Sequence, residues 1–422
     1  MGEKLLIVGG CVAAKEAAMA ARKINSECEI TILSEEKYYP YYRPMLSECI
    51  TGDVNEKRFY LASKEDYEKN NINLKLGEKA IEFSPDERTI KTDKGSIYSY
   101  DKLLIATGSK NFIPLPDAMD IPGVFSIKTY NDSKDAKAWV SSLKATSDLY
   151  SNLPTNDNTD VDDSNPVEAS LHPSSHVIIV GGGLLGLEAA WELKSSGLDV
   201  TIIELAPRIL PAQLDDESSS FFSNIITSKG VNIILNKSIK EVLNDNNINS
   251  IILNDGTSLD CDMLLFSVGI RPNIDLVKDS EIEIEHGILV NNKMETSLKN
   301  VYAAGDVTKI KDCPQGIWRP ALEQGKVAGT NMAGGDITYN NPPIPIFLNS
   351  FGTQIYSIGE LKSANEIDSI KSIDTHKGVY KKLYFNNDIL VGGILIGDIK
   401  SSTKLSKGLE NKISKEEALS LI

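Results

Sequence analysis

Two stretches of the chain, starting about 170 residues apart, repeat one grammar: an apolar run, a glycine-rich turn, a helical pattern rich in alanine, and a second apolar run. The first reads Leu5-Leu6-Ile7-Val8, then Gly9, Gly10, Cys11, Val12, Ala13 and Ala14, a helix through Ala17, Ala18, Ala20 and Ala21, and the strand Glu29-Ile30-Thr31-Ile32-Leu33. The second reads Val177-Ile178-Ile179-Val180, then Gly181-Gly182-Gly183-Leu184-Leu185-Gly186, a helix from Leu187 to Ser196, and Val200-Thr201-Ile202-Ile203 closed by Glu204. Strand, turn, helix and strand within about 30 residues form a βαβ unit, because adjacent parallel strands need a crossover connection. The internal duplication therefore predicts two dinucleotide-binding folds.

In the second unit Gly181 supplies the tight turn, Gly183 the close backbone approach to a pyrophosphate, and Gly186 the close packing of the helix. Leu184 and Leu185 lie within that turn, and the backbone N–H groups at the start of the helix that follows face the diphosphate. Glu204, 23 residues after Gly181, can accept hydrogen bonds from both ribose hydroxyls and would repel a 2′-phosphate, which favours NADH over NADPH. Arg208 could soften that preference or stand in solvent. The first unit departs from the pattern, with Gly9, Cys11 and Ala14 at the three glycine positions. Cys11 reads as a small packed side chain or a thiol beside a cofactor, and Glu35 and Glu36 as candidates for an adenosine ribose.

Elsewhere the chain is bounded by breaks. Residues 146–175 are rich in Ser, Asn, Asp and Pro without regular periodicity, which predicts a disordered acidic insertion. Asn341-Pro342-Pro343-Ile344-Pro345 precedes two strand patterns, Val379 to Phe385 and Ile389 to Ile396, that flank a turn at Asn386-Asn387-Asp388, and then a lysine-rich helical end. A net charge of −15 with no basic block argues against a nucleic-acid partner. Five cysteines without a C-x-x-C pair and four scattered histidines suggest reduced thiols and no metal site. No secretory leader and no run of about 18 apolar residues is visible, so the expectation is a cytoplasmic protein with no membrane partner, monomeric or homodimeric.

Three further motifs, Leu104-Ile105-Ala106-Thr107-Gly108-Ser109, Phe266-Ser267-Val268-Gly269-Ile270-Arg271-Pro272-Asn273 and Val301-Tyr302-Ala303-Ala304-Gly305-Asp306, complete a pattern with the two glycine turns. Together they resemble the FAD-dependent pyridine nucleotide-disulfide oxidoreductase superfamily over nearly the whole chain. The resemblance implies an α/β, glutathione-reductase-like fold of two Rossmann-like domains plus a small C-terminal α+β domain. FAD would occupy 1–112 with 262–338, and NADH would bind 113–261, which carries the acidic insertion; 339–422 would be the third domain. It also implies that Asp306 binds the flavin ribityl chain, that Thr107 and Gly108 line the flavin crossover, and that Ala80 offers backbone to the adenine end. Gly269 would lie near the nicotinamide and Trp318 would border the flavin or pack in the core.

The segment Tyr38-Tyr39-Pro40-Tyr41-Tyr42-Arg43-Pro44-Met45-Leu46-Ser47-Glu48 sets the subgroup. Pro44 stands where true disulfide reductases carry a redox cysteine. Cys49, five residues on along one predicted helix, would be rotated by about 500° and turned away. The tyrosine-rich lead-in, Gly183-Leu184-Leu185-Gly186-Leu187-Glu188, Gly325-Lys326-Val327-Ala328-Gly329 and Leu390-Val391-Gly392-Gly393-Ile394-Leu395 are similar to NADH:rubredoxin reductases. That resemblance implies electron transfer from NADH through FAD to rubredoxin or a similar one-electron carrier, without a redox-active disulfide. Arg43 would stabilise charge on the flavin and Glu188 would position the nicotinamide. Alternatives are a ferredoxin reductase, the NADH-oxidising part of a nitrite-reductase-like system, or a flavin-holding redox sensor. Glu48, at a position where ferredoxin-reductase relatives place a lysine to pair with the residue at Glu188, weakens the first of these; chain length, with no following cysteine cluster, opposes a self-contained nitrite reductase.

Overall fold

The computed structural model describes residues 2–151, 175–310, 315–361 and 368–422. Residues 152–174 of the expected insertion and Cys313 lie outside these. Residues 146–151, placed in the insertion by composition, belong to the Tyr130–Ser151 helix. The chain divides into two compact units. One comprises Met1–Met45, Val54–Phe112 and Ile270–Ile344, the other Leu46–Asp53, Ile113–Gly269 and Pro345–Ile422.

The first unit is built on a five-stranded parallel sheet in the order Val301–Ala303, Lys102–Ile105, Lys4–Val8, Glu29–Ser34, Ile72–Leu76. Its central strands are apolar on both sides because both faces are covered. On one face lie the Val12–Ile24 helix, through Ala13, Ala14, Ala17, Ala18 and Ala21, and the Trp318–Met332 helix, through Val327 and Ala328. These helices meet backbone to backbone: a Cβ on Gly325 would stand 2.3 Å from the Ala13 carbonyl oxygen, and one on Gly329 would stand 2.0 Å from that of Ala17. Only glycine permits that approach. On the other face an antiparallel sheet of Ala80–Ser84, Thr89–Thr92 and Ile97–Ser99 covers Leu6, Val8 and Ile105 with Ile90, Phe83 and Tyr98.

The second unit repeats the parallel sheet in the order Val231–Leu235, Asp199–Glu204, His176–Val180, Met263–Phe266, Val124–Ser126. The Leu184–Ser195 helix follows its glycine turn, and the Asp216–Ser228 helix leads into Val231–Leu235. The C-terminal part is a five-stranded antiparallel sheet whose Val379–Asn386 and Ile389–Ile396 strands form the hairpin expected from sequence. Asn387 and Asp388, with φ of +48° and +60°, make its two-residue turn, the backbone that a right-twisted hairpin requires. The Ser402–Glu410 helix buries Leu405 against Leu383, Phe385 and Leu395 of this sheet.

One expectation is corrected. Pro44 and Cys49 do not share an α-helix: Arg43–Met45 and Glu48–Ile50 are separate 3₁₀ turns, closed by Met45 N–H to Tyr42 O and Ile50 N–H to Ser47 O. A rotation of about 100° per residue therefore does not describe this segment. Cys49 is nonetheless buried, and burial, with the Glu48 carboxylate adding to it, pushes its thiol up to about 12.

Candidate active site

The two glycine turns share a backbone geometry. Gly9 (φ +126°) would drive a Cβ to 2.0 Å from the Ala106 carbonyl oxygen, and Gly181 (φ +115°) would drive one to 2.1 Å from that of Ser267. Each turn thus lies against the strand beside it, and only glycine fits. Cys11 and Gly183 are the N-cap residues of the helices that follow, and neither caps through its side chain. The first-turn N–H groups are consequently free of intrahelical partners and of side-chain caps, the condition for receiving a diphosphate. Val12, Ala13 and Ala14 bury their side chains, so only their backbone can serve a ligand. A Cβ on Gly183 would meet nothing within 4 Å, whereas one on Gly186 would meet the Gly181 carbonyl oxygen at 2.1 Å. The two glycines therefore divide close ligand approach from helix packing. Leu184 and Leu185 are half-buried in the first turn of that helix.

The ends of the second strands differ. Glu204 accepts from the Gly182 N–H at 2.6 Å through one oxygen and from the Ala206 N–H at 2.7 Å through the other, fixing the carboxylate beside the turn. The structurally equivalent position in the first unit is Ser34, whose Oγ lies where a Cβ on Gly10 would point. Glu35 extends outward to Lys79 at 2.7 Å, next to Ala80 at the start of a strand. Glu36 turns inward, accepting from Tyr41 Oη at 2.6 Å and from the Arg43 guanidinium. Arg43 also donates to Cys11 Sγ at 3.0 Å and lies over the Tyr41 ring. Arg43, Glu36 and Cys11 thus form one cluster at the start of the Val12–Ile24 helix, while the neighbouring Pro44 is exposed.

Asp306 is held at both oxygens, by Ser109 Oγ at 2.8 Å and by the Gly316 N–H at 2.9 Å. Gln324 pins the preceding turn by accepting from the Gly305 N–H and Thr308 Oγ1. Thr107 donates to the Asn273 carbonyl, and the Asn273 N–H returns to the Gly108 carbonyl. Trp318 is half-buried at the start of its helix, its ring edge-on to that of Tyr42 with centroids 4.8 Å apart, and so is not fully packed in the core. In the second unit Gly269 (φ +96°) has open space where a Cβ would be. Glu188 lies near Glu48 of the Glu48–Ile50 turn and one helical turn before Glu192, and its carboxyl is pushed up to about 7 by burial and by those two carboxylates, against a hydrogen bond from Ser47. Ser34 and Gln324 stand in none of the motifs, so sequence reasoning missed them, and Ser109 closes one of the motifs without its bond to Asp306 being readable there. Among the described residues no group of three or more His, Cys, Asp or Glu side chains is placed to hold a metal, and no helix is long and apolar enough to cross a membrane.

Duplicated βαβ units with two glycine turns and two helix starts without side-chain caps give the geometry of a two-dinucleotide fold. The chain belongs to the pyridine nucleotide-disulphide oxidoreductase family, which matches residues 3–330, and its cofactor is FAD. Residues 345–413 match the rubredoxin NAD+ reductase C-terminal domain. The NADH-rubredoxin oxidoreductase of Clostridium acetobutylicum is 30% identical over 99% of this chain and 97% of its own length. A crystal structure under that name from the same organism aligns with a TM-score of 0.75 and 28% identity, over 98% of this chain and 96% of the other. A nitrite reductase [NAD(P)H] of Bacillus subtilis is 31% identical over the whole chain, but the chain spans only 49% of its length; the same holds for the assimilatory nitrate reductase electron transfer subunit of that organism, at 30% identity over 96% of the chain. A ferredoxin reductase from Rhodopseudomonas palustris shares the fold, with a TM-score of 0.84 at 20% identity and coverage of 100% of this chain and 98% of the other.

Proposed function

We propose that the protein oxidises NADH and passes the electrons singly, through FAD, to a small carrier of the rubredoxin class. The observation that carries this reading is the pairing of a rubredoxin-reductase-type C-terminal domain with a Pro44 segment that holds no thiol relay. Bound FAD supplies the conversion of a hydride pair into single electrons. The chain's own residues bind and orient. The turn Gly9, Gly10, Cys11 and the N–H groups of Val12, Ala13 and Ala14 receive the FAD diphosphate, and Thr107, Gly108 and Asp306 hold its middle. Glu35 and the backbone of Ala80 serve the adenosine end, Trp318 borders the ring, and Glu36 serves by holding Arg43. Gly181, Gly183, Leu184, Leu185 and Gly186 receive NADH, with Glu204 on its ribose and Gly269 and Glu188 towards the nicotinamide.

A second reading, the electron-supplying portion of a nitrite-reductase-type system, is favoured by the Bacillus subtilis relatives of which this chain spans about half. The test is stopped-flow reduction of the holoenzyme by NADH, then reoxidation by rubredoxin, ferredoxin, oxygen or coenzyme A disulfide. The proposal expects rubredoxin to reoxidise it fastest. Ferredoxin reoxidation with no rubredoxin activity would replace the carrier, and fast reoxidation by the disulfide would restore a thiol mechanism.

A further inference from the structure

Between Glu204 and Lys229 the only cation is Arg208, so it alone in the loop after the ribose-binding strand end could meet the 2′-phosphate of NADPH. All three of its guanidinium nitrogens are already engaged: Nη1 donates to Asp216 Oδ1 at 2.8 Å, Nη2 to the Pro211 carbonyl at 3.2 Å, and Nε to the Leu214 carbonyl at 3.3 Å. The loop is closed down on the glycine turn, with Leu210 N–H bonded to the Gly182 carbonyl. Its far end is fixed as well. Asp215, the N-cap of the Asp216–Ser228 helix, accepts from the Ser218 N–H at 2.8 Å, Lys382 Nζ at 2.5 Å and Tyr384 Oη at 2.8 Å. Lys382 and Asp215 are both buried, so the C-terminal sheet anchors the helix start that carries Asp216.

We propose that Asp216 is a specificity-determining residue that enforces the preference for NADH by holding the Arg208 guanidinium away from a 2′-phosphate. Glu204 repels that phosphate and Asp216 withholds the one cation of this loop that could compensate it. The inference rests on the NADH reading of the Glu204 strand end. Asp216 is four-fifths exposed in its side chain, so its ion pair with Arg208 is of the weak surface kind and one substitution releases it.

The test compares wild type, Asp216→Ala, Asp216→Glu, Arg208→Ala and the Arg208→Ala, Asp216→Ala double variant as holoenzymes. The readouts are kcat/KM for NADH and NADPH, and the dissociation constants of NAD+ and NADP+ by titration. Asp216→Ala is expected to improve NADPH use and NADP+ binding by about three- to tenfold, with NADH changed by less than about twofold. Asp216→Glu should retain the wild-type ratio, and the double variant should lose the gain. A gain that persists without Arg208 would assign the effect to removal of a negative charge and overturn the lock, as would no gain in Asp216→Ala. A wild-type enzyme that itself prefers NADPH would instead overturn the strand-end reading, and the lock with it.

Discussion

Glu188 offers a measurement of the site's electrostatics that does not depend on the acceptor. It lies on the Leu184–Ser195 helix one turn before Glu192, and its carboxyl is raised from the ordinary 4.5 to about 7 by burial first and then by Glu48 and Glu192. Other charged groups on elements packed against this helix are engaged elsewhere: Asp199 with Lys194, Glu204 with the turn backbone, and His176 with Thr201 and the Asp260 carbonyl. Lys137, near the Glu48–Ile50 turn, is bonded to Asp53. A folded-state pKa above the unfolded one means that the native protein holds the extra proton. Ionising Glu188 therefore costs native stability, a cost that begins as pH rises above about 4.5 and is complete above about 7. A rise of about 2.5 units corresponds to about 3 kcal/mol at most. Glu188→Gln removes this cost while keeping the shape of the side chain. Urea denaturation of wild type and variant, followed by circular dichroism, should show the variant gaining up to about 3 kcal/mol on wild type between about pH 5 and pH 8. Glu48→Gln should give a smaller gain in the same direction, since it removes only part of the repulsion. A stability difference between Glu188→Gln and wild type that stays flat across this range would refute the shared-carboxylate account.

Two further outcomes follow from packing and thiol chemistry. Gly329→Val should lower stability by at least about 2 kcal/mol and release FAD in thermal melts, because its Cβ would enter the Ala17 carbonyl where two helix backbones meet; Val327→Ala, beside it, should cost less and keep the flavin. Cys11→Ser and Cys49→Ser should each leave NADH-driven acceptor reduction within about threefold, since Cys49 is buried with its thiol raised and a serine oxygen can still accept from Arg43. Loss of turnover with flavin retained in either would revive a thiol relay.

What could be read in the sequence is what backbone periodicity controls. Both βαβ units, both glycine turns, the carboxylate at Glu204 and the Asn387-Asp388 hairpin follow from residue spacing, because strand pairing and positive φ leave few residue choices. The 3₁₀ turns at Arg43–Met45 and Glu48–Ile50 were not legible, since tightening a turn depends on tertiary anchors such as the Ser133 hydroxyl on the Leu46 carbonyl. Nor could sequence show that Glu36 is engaged by Arg43 and Tyr41, that Ser109 holds Asp306, or that Asp216 occupies Arg208. The first and third depend on how a short loop folds back on itself, and the second joins positions 197 residues apart along the chain. Trp318 and Tyr42, 276 residues apart by numbering, meet for the same reason.

The two copies of the unit have diverged where charge meets the helix start. In the first, the strand-end position is the neutral Ser34, and Arg43 brings a guanidinium against the N-cap Cys11 with its charge offset by Glu36, so the helix start meets a near-neutral pair. In the second, the strand end is Glu204, and the first turns of the helix are followed by the carboxyl groups of Glu188 and Glu192, joined by Glu48. Both proposed ligands carry a diphosphate; the first copy would meet it with its helix start beside the Arg43–Glu36 pair, while the second would set carboxyl groups against part of what its helix offers. In the proposed assignment the first copy holds FAD through every turnover and the second releases NAD+ in each. On that assignment, residues around the turns, rather than the turns themselves, would distinguish the nucleotide that is kept from the one that is exchanged.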